Sequence, residues 1–222
     1  MSAGGLTEQR DSPAADVSAV TDILVAGVGG QGVIVAAAII AEAALLHGGL
    51  EVKLSETHGM SQRGGSVQSQ VRIGRRVVAA AISPGEVDYL LAFEAAEGLR
   101  MAPSLTDGGL AIVSTQQIVP PLASMGDHTY PYDAIERMAA AGRHVIAIDA
   151  ASVAAGAGSA KVAGVVLLGA LSAHLAFAGH TWERAIAANV GAGWLEMNLA
   201  AFAAGRAIAE ADAGAGEGGG RA

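Results

Sequence analysis

The chain has no cysteine among its 222 residues. Disulfides, cysteine nucleophiles and cysteine-ligated zinc or iron–sulfur clusters are therefore beyond what it can build by itself. It is also short of positive charge. Thirteen Lys and Arg against 21 Asp and Glu leave a net charge of −8, which argues against nucleic acid as a partner, because phosphates need a basic surface. The six histidines are scattered, with neither H-x-x-x-H nor H-E-x-x-H spacing, so no metal site is expected. Long lipid-compatible runs are missing too. The longest apolar stretch, 162–178, is interrupted by Gly164, Gly169, Ser172 and His174; it is short for a bilayer and reads as a buried or interface helix, with no membrane span. The first 20 residues carry no apolar core of a secretory signal, so the expectation is a cytoplasmic protein. No G-x-S-x-G elbow surrounds Ser61 or Ser66, which leaves no argument for a serine nucleophile.

What is present is glycine, 31 residues of it, concentrated where it carries chemistry. Gly27-Val-Gly29-Gly30-Gln31-Gly32 follows the apolar run Ile23-Leu24-Val25 and precedes a helical pattern, the context in which G-x-G-x-x-G places backbone N–H groups around an anion. A second glycine-rich turn, His58-Gly59-Met60-Ser61-Gln62-Arg63-Gly64-Gly65, lies beyond the next strand. There His58 and Arg63 could hold a phosphate or carboxylate, the arginine in bidentate fashion. Four of the 13 basic residues (Arg63, Arg72, Arg75, Arg76) fall within positions 63–76, a local basic patch in an acidic chain. A solvated hairpin face explains the same residues equally well. Glu56 stands where a dinucleotide enzyme would place its ribose-binding acid. Glu94 and Asp149 close predicted strands, where α/β folds bind ligands, although such carboxylates more often cap the next helix.

Periodicity organises the rest. Strands are expected at 23–26, 51–55, 87–93, 110–113 and 144–148. The alternating segment 67–73 predicts a half-buried strand, paired through Gly74-Arg75 with 77–82 in an antiparallel hairpin. From Ala150 onward only helical patterns remain, at 153–157, 162–177, 182–189 (capped by Thr181) and 192–211, with Trp182, Trp194 and Phe202 at core-like positions. The fold class is α/β: a Rossmann-like, mainly parallel sheet with an antiparallel hairpin insertion, three layers and a helical C-terminal third. One domain, 21–211, is expected between a disordered tail (1–20) and a disordered glycine-rich tail (212–222).

The two glycine turns together carry a resemblance. Gly27-Val-Gly-Gly-Gln-Gly-Val and Glu56-Thr-His-Gly-Met-Ser-Gln-Arg-Gly-Gly-Ser-Val, supported by Asp88-Tyr-Leu-Leu-Ala-Phe-Glu94, Leu168-Gly-Ala-Leu171 and Asn198-Leu-Ala-Ala-Phe-Ala-Ala-Gly205, resemble the gamma-type subunit of 2-oxoacid:acceptor oxidoreductases. Within that family the likeness is to the small (beta) subunit of the indolepyruvate:ferredoxin branch. One departure stands out: where the family usually shows Gly-Asn, then a basic residue, then another Asn before the Leu-Gly-Ala, this chain has Gly158-Ser159-Ala-Lys161 and Gly164. The resemblance implies a non-redox subunit with no catalytic residue of its own. Thiamine diphosphate, magnesium and iron–sulfur clusters would belong to a large catalytic partner that passes electrons to ferredoxin or another acceptor. Gly27, Gly29, Gly30, Gln31, Gly32, His58, Gly59, Arg63, Gly64 and Gly65 would hold coenzyme A or line its path. The alternatives are a self-sufficient NAD(P)-dependent oxidoreductase using Gly27–Gly32 and Glu56, or a scaffold subunit without a ligand.

Overall fold

The computed structural model describes residues 20–58, 65–120 and 129–218, and the side chains of His58 and of 214–218 fall outside that description. Six strands form one sheet: β1 (Thr21–Val28), β2 (Glu51–His58), β3 (Ser66–Gly74), β4 (Val87–Ala92), β5 (Leu105–Ser114) and β6 (His144–Ile148). Their order is β2-β3-β1-β4-β5-β6. β1, β4, β5 and β6 run parallel, while β3 is antiparallel to both β1 and β2. The helices are α1 (Val33–His47), α2 (Ala95–Met101), α3 (Ala134–Ala140), α4 (Ala150–Gly156), α5 (Ala163–Ser172), α6 (Gly179–Asn189) and α7 (Leu195–Gly218).

Alternation along each strand sends side chains to two different cores. Ile23, Val25, Leu91, Ile112 and Ile146 join α1, α5, α6 and α7 on one face. Leu24, Ala26, Leu90, Ala92, Ala111 and Val113 form the second core with Met138 on α3. The expected three-layer, mainly parallel sheet with an antiparallel insertion and a helical C-terminal part is what the chain forms.

The partner of β3 differs from expectation. Residues 77–82 form no strand; β3 instead pairs with β2, Glu56 opposite Ser69, and slots between β2 and β1. The reason lies in side chains that satisfy the 77–82 backbone. Glu51 accepts from the Val77 N–H (2.8 Å), Gln70 from the Ile82 N–H (2.8 Å), and Arg72 donates to the Ala81 carbonyl (2.9 Å). With these groups already bonded, no ladder is needed. Arg72 also grips Asp22 through Nε (2.8 Å) and Nη2 (2.9 Å), while the Asp22 N–H donates to Asp88 (2.8 Å). That bidentate pair locks β3 to β1 at the end remote from the glycine turns.

In the C-terminal layer the apolar helix ends at Ser172 rather than 177. Its hydroxyl bonds back to the Gly169 carbonyl (2.6 Å), and the chain tightens into three-residue turns from Ala173 and His174 to Ala170 and Leu171, competing with further helix. α6 starts at Gly179, so Thr181 is buried within it rather than capping it. The last helix passes Ala211 and runs to Gly218, so 212–218, read as part of a disordered tail, is helical backbone. α5 and α7 cross at backbone contact. A Cβ on Gly169 would lie 2.0 Å from the Phe202 carbonyl oxygen, and one on Gly205 would lie 1.8 Å from that of Val166. Neither neighbour is a side chain that could swing away, so only glycine permits the crossing.

Gly205→Ala should therefore lower unfolding stability by about 3 kcal/mol or more, through overpacking against fixed backbone. Gly156→Ala, where a Cβ meets nothing within 4 Å, should be neutral or stabilising by up to ~1 kcal/mol. Urea melts of the two variants check the contrast, and equal midpoints would contradict it.

Candidate functional site

The carboxyl ends of β1 and β4 are neighbours, and the chain leaves β1 through α1 on one side and reaches β4 on the other. In an open α/β sheet this change of direction opens the crevice where ligands bind. The turn 28–32 sits there. Gly30 (φ 101°) and Gly32 (φ 87°) have left-handed backbone, which only glycine adopts without strain. Gly27 is needed for space: a Cβ would come within 2.9 Å of Gln31 Oε1 and Val33 Cγ2, and 3.0 Å of Phe93 Cβ.

Gln31 fills the crevice itself. Its Oε1 accepts from the Val28 N–H (2.7 Å), and its Nε2 donates to the Phe93 carbonyl (2.8 Å) and to Gln116 Oε1 (3.0 Å). The Gln31 side chain braces β1, β4 and the segment after β5. The two glycine turns are joined by a bond from the Gly29 N–H to the Gly65 carbonyl (2.8 Å). Gly59, Arg63 and Gly64 lie outside the described residues, as does the side chain of His58.

The N–H groups of Gly30, Gly32, Val33, Ile34 and Val35 find no acceptor among the described residues. The first turn of α1 holds no acidic side chain to balance its dipole. A helix start of this kind attracts an anion. Around it open three cavities. One of about 410 Å³ lies over Gly29, Gly30 and Ile34 beside Val67. Another, about 380 Å³, reaches from Gly30 to Ser114, Gln116 and Lys161. The third, about 280 Å³, is an apolar slot between α1 and α5, with Val35, Ile39, Leu168 and Trp194 in its walls.

The carboxylates read as candidates turn out to be caps. Glu94 is buried, accepts from the Glu97 N–H (2.9 Å) and the Ile118 N–H (3.0 Å), and takes the hydroxyl of Tyr130. Burial, with the Glu94 carboxylate beside it, pushes the Tyr130 phenol far up, so it stays protonated as donor. Asp149 caps α4 by accepting from Ser152 N–H (3.1 Å) and Oγ (2.7 Å), and those bonds hold its carboxyl below the usual range. Glu56 is exposed on β2, which β3 separates from β1.

Comparison with known proteins gives this arrangement a family. The sequence profile described as pyruvate ferredoxin/flavodoxin oxidoreductase matches residues 22–208. The chain belongs to this family. It is 39% identical over 185 residues to indolepyruvate oxidoreductase subunit IorB of Archaeoglobus fulgidus, covering 82% of this chain and 91% of that protein. Its fold is similar to the gamma subunit of keto/oxoacid ferredoxin oxidoreductase from Geobacter sulfurreducens, with a TM-score of 0.64, 27% identity, and coverage of 86% of this chain and 99% of that one. It is also similar to part of the 2-oxoglutarate:ferredoxin oxidoreductase of Magnetococcus marinus, a structure with 2-oxoglutarate, coenzyme A and succinyl-CoA bound. There the TM-score is 0.66, the identity 25%, and the coverage 86% of this chain and 31% of that one.

In this member of the family, sequence reasoning passed over two residues of the site. Lys161 lines both the polar cavity and the apolar slot, and its Nζ lies 5.9 Å from the Trp194 ring centroid. Trp194, expected in the core, is 42% exposed and forms one wall of the slot. The signal available was the departure at Gly158–Lys161, a basic residue kept where the flanking amides are replaced. At the opposite end of the sheet a separate cavity of about 450 Å³ is bordered by Asp88, Tyr89, His144 and His174. Burial, reinforced by His144 and opposed by Asp212, holds His174 below the usual imidazole range, and its Nε2 has no partner among the described residues.

Two outcomes are expected. Gln31→Leu leaves the Val28 N–H and Phe93 carbonyl without their partner and should cost about 2 kcal/mol in a urea melt, whereas a loss below about 0.5 kcal/mol would deny the brace. His174 gives the fold a pH dependence. Its folded value is depressed, so its contribution is complete above the unfolded value of about 6.5 and is lost as pH falls from there through the folded value. His174→Phe should flatten melting temperature against pH on that acid side; an unchanged slope would rule the residue out.

Proposed function

We propose that this chain is the non-redox subunit of a thiamine-diphosphate-dependent 2-oxoacid:ferredoxin oxidoreductase. The assembled enzyme would convert indolepyruvate or another aryl 2-oxoacid and coenzyme A to acyl-CoA and CO2, passing two electrons to ferredoxin or another acceptor. The observation that carries this reading is family membership across 22–208 in a chain without cysteine. Such a chain cannot ligate an iron–sulfur cluster through thiolates, so clusters and thiamine diphosphate would reside in a large partner subunit. The aryl substrate is inferred from the Archaeoglobus relative named for indolepyruvate.

The residues fit an organic phosphate. The N–H groups of Gly30, Gly32, Val33, Ile34 and Val35, which find no acceptor among the described residues, glycines that let a ligand approach the backbone, and Lys161 nearby supply donors and charge without an acid or base. That suits coenzyme A: attack of its thiol on an acyl intermediate held by the partner needs positioning above all. His58, Gly59, Arg63, Gly64 and Gly65 would complete the cradle. The NAD(P) alternative loses support from two features. Gln31 fills the crevice, and β3 displaces Glu56 outward by one strand spacing, about 5 Å.

The purified chain alone should be inactive and should not bind NADH, and it should support 2-oxoacid oxidation once combined with its iron–sulfur partner. Micromolar NADH binding by the lone chain in calorimetry would sink the proposal. In the assembled enzyme Arg63→Ala should raise the KM for coenzyme A about ten-fold, the loss of one charge-assisted contact, with kcat little changed. An unaltered KM would remove Arg63 from the site.

A further inference from the structure

We infer that the cavity at the end of the sheet away from the glycine turns binds a small organic cation of the alkylammonium class, held between the Asp88 carboxylate and the rings of Tyr89 and His174. The cavity measures about 450 Å³. Its border comes from the starts of three parallel strands, Thr21 on β1, Asp88 and Tyr89 on β4 and His144 on β6, together with His174 beyond α5. A concave site of that size with a few converging polar groups suits a small molecule. The inference goes beyond the coenzyme A reading and does not depend on it.

Asp88 sets the sign of the ligand. Its Oδ2 accepts from the Asp22 N–H (2.8 Å), yet the carboxylate pairs with no basic side chain among the described residues. Arg72 is committed to both oxygens of Asp22, and no lysine or arginine borders the cavity. Burial, opposed by the bond from the Asp22 N–H and reinforced by the Asp22 charge, pushes the Asp88 carboxyl up from its ordinary value. A bound cation relieves that penalty. The other walls add no positive charge. His174 Nε2 is closed off from solvent without a partner among the described residues, so a proton there would be buried and unpaired, and the ring stays neutral. The Tyr89 hydroxyl donates to the His174 carbonyl (3.2 Å), which holds the two ring centroids 6.2 Å apart before any ligand arrives. A carboxylate beside neutral aromatic faces is a setting for an ammonium group. His174 also follows the carboxyl end of α5, where the helix dipole favours positive charge. Other ligand classes fit less well. An anion would meet Asp88, with Asp212 acting on His174 from α7, and find no cation to pair with. A neutral apolar molecule would cover the carboxylate and leave it unpaired. For a metal ion, no group of three His, Asp or Glu side chains converges among the described residues.

The test titrates the full chain at pH 8 with butylammonium, with butan-1-ol as its neutral counterpart and butyrate as its anionic one. Calorimetry should show saturable binding of butylammonium, about ten-fold or more tighter than either of the others. The chain has six histidines, and the ring-proton resonance that disappears in His174→Phe should be one that shifts on binding. Asp88→Asn keeps an acceptor for the Asp22 N–H and removes the charge. It should weaken affinity by about ten-fold or more, the loss of one charge-assisted contact. Absence of saturable binding would overturn the inference. So would equal affinity for butan-1-ol, a His174 resonance that stays in place while calorimetry shows binding, or an Asp88→Asn chain that binds as tightly as the parent. If that substitution prevents folding, the comparison of the probes on the unaltered chain decides by itself.

Discussion

One primary amide holds the centre of this molecule. Gln31 uses its single oxygen on the Val28 N–H and its nitrogen on the Phe93 carbonyl and Gln116, so the ends of β1 and β4 and the segment following β5 are fixed to one another by one side chain. The Val28 N–H and the Phe93 carbonyl are partly buried, so leaving them unpaired would carry a desolvation penalty, and the arrangement is correspondingly specific. The brace also sets what the site can do. The Gln31 side chain occupies part of the switch point and lines the cavity that reaches from Gly30 to Ser114 and Gln116. Beside it lie the outward-facing start of α1, whose first N–H groups find no acceptor among the described residues, and a slot running away beneath α5.

The intruding strand has the second largest consequence. β3 lies between β1 and β2, so its two faces meet different surroundings. Val67, Val71 and Ile73 join the α1 core, while each polar residue opposite finds a partner. Ser66 donates to Glu97 (2.7 Å), and Gln68, with its oxygen toward the guanidinium, accepts from Arg100 (3.2 Å). Gln70 and Arg72 hold the backbone of the following segment. This alternation was plain in the sequence, and the strand was legible from it. Its neighbours were not. Gly74-Arg75 has the composition of a tight turn, and Val77–Ile82 has β propensity, so local reasoning pairs the two. The true pairing joins β2 to β3 across a longer connection, and it is selected by the burial of Val67, Val71 and Ile73 beside α1, which no local pattern contains.

The site was half legible for a related reason. Gly27 to Gly32 form a contiguous motif whose backbone demands are local, and the structure bears those demands out at Gly30 and Gly32. Lys161 and Trp194 belong to segments far from that motif, and only the packing of α5 against α1 brings them to it. Trp194 looked like core because a tryptophan in an apolar pattern usually is. It is half-exposed because the α1 residues facing it, Val35 among them, leave a gap rather than filling it.

The glycine crossing connects stability to that gap. α5 supplies Val165 and Leu168 to one wall of the slot, and α7 with the turn before it supplies Asn198 and Trp194. The separation of these two helices is fixed by Gly169 and Gly205 against opposing carbonyls. Wedging the helices apart at Gly205 cannot be absorbed by rotating a side chain, so α5 would have to move toward α1 or α7 away from the core. Either movement changes the slot at the end where Lys161 stands, since that lysine lies on the turn leading directly into α5. The two glycines therefore govern the shape of a cavity they do not line. A substitution there would alter the shape of the cavity and the stability of the fold together, whereas Lys161→Met alters charge at the cavity and leaves the crossing intact.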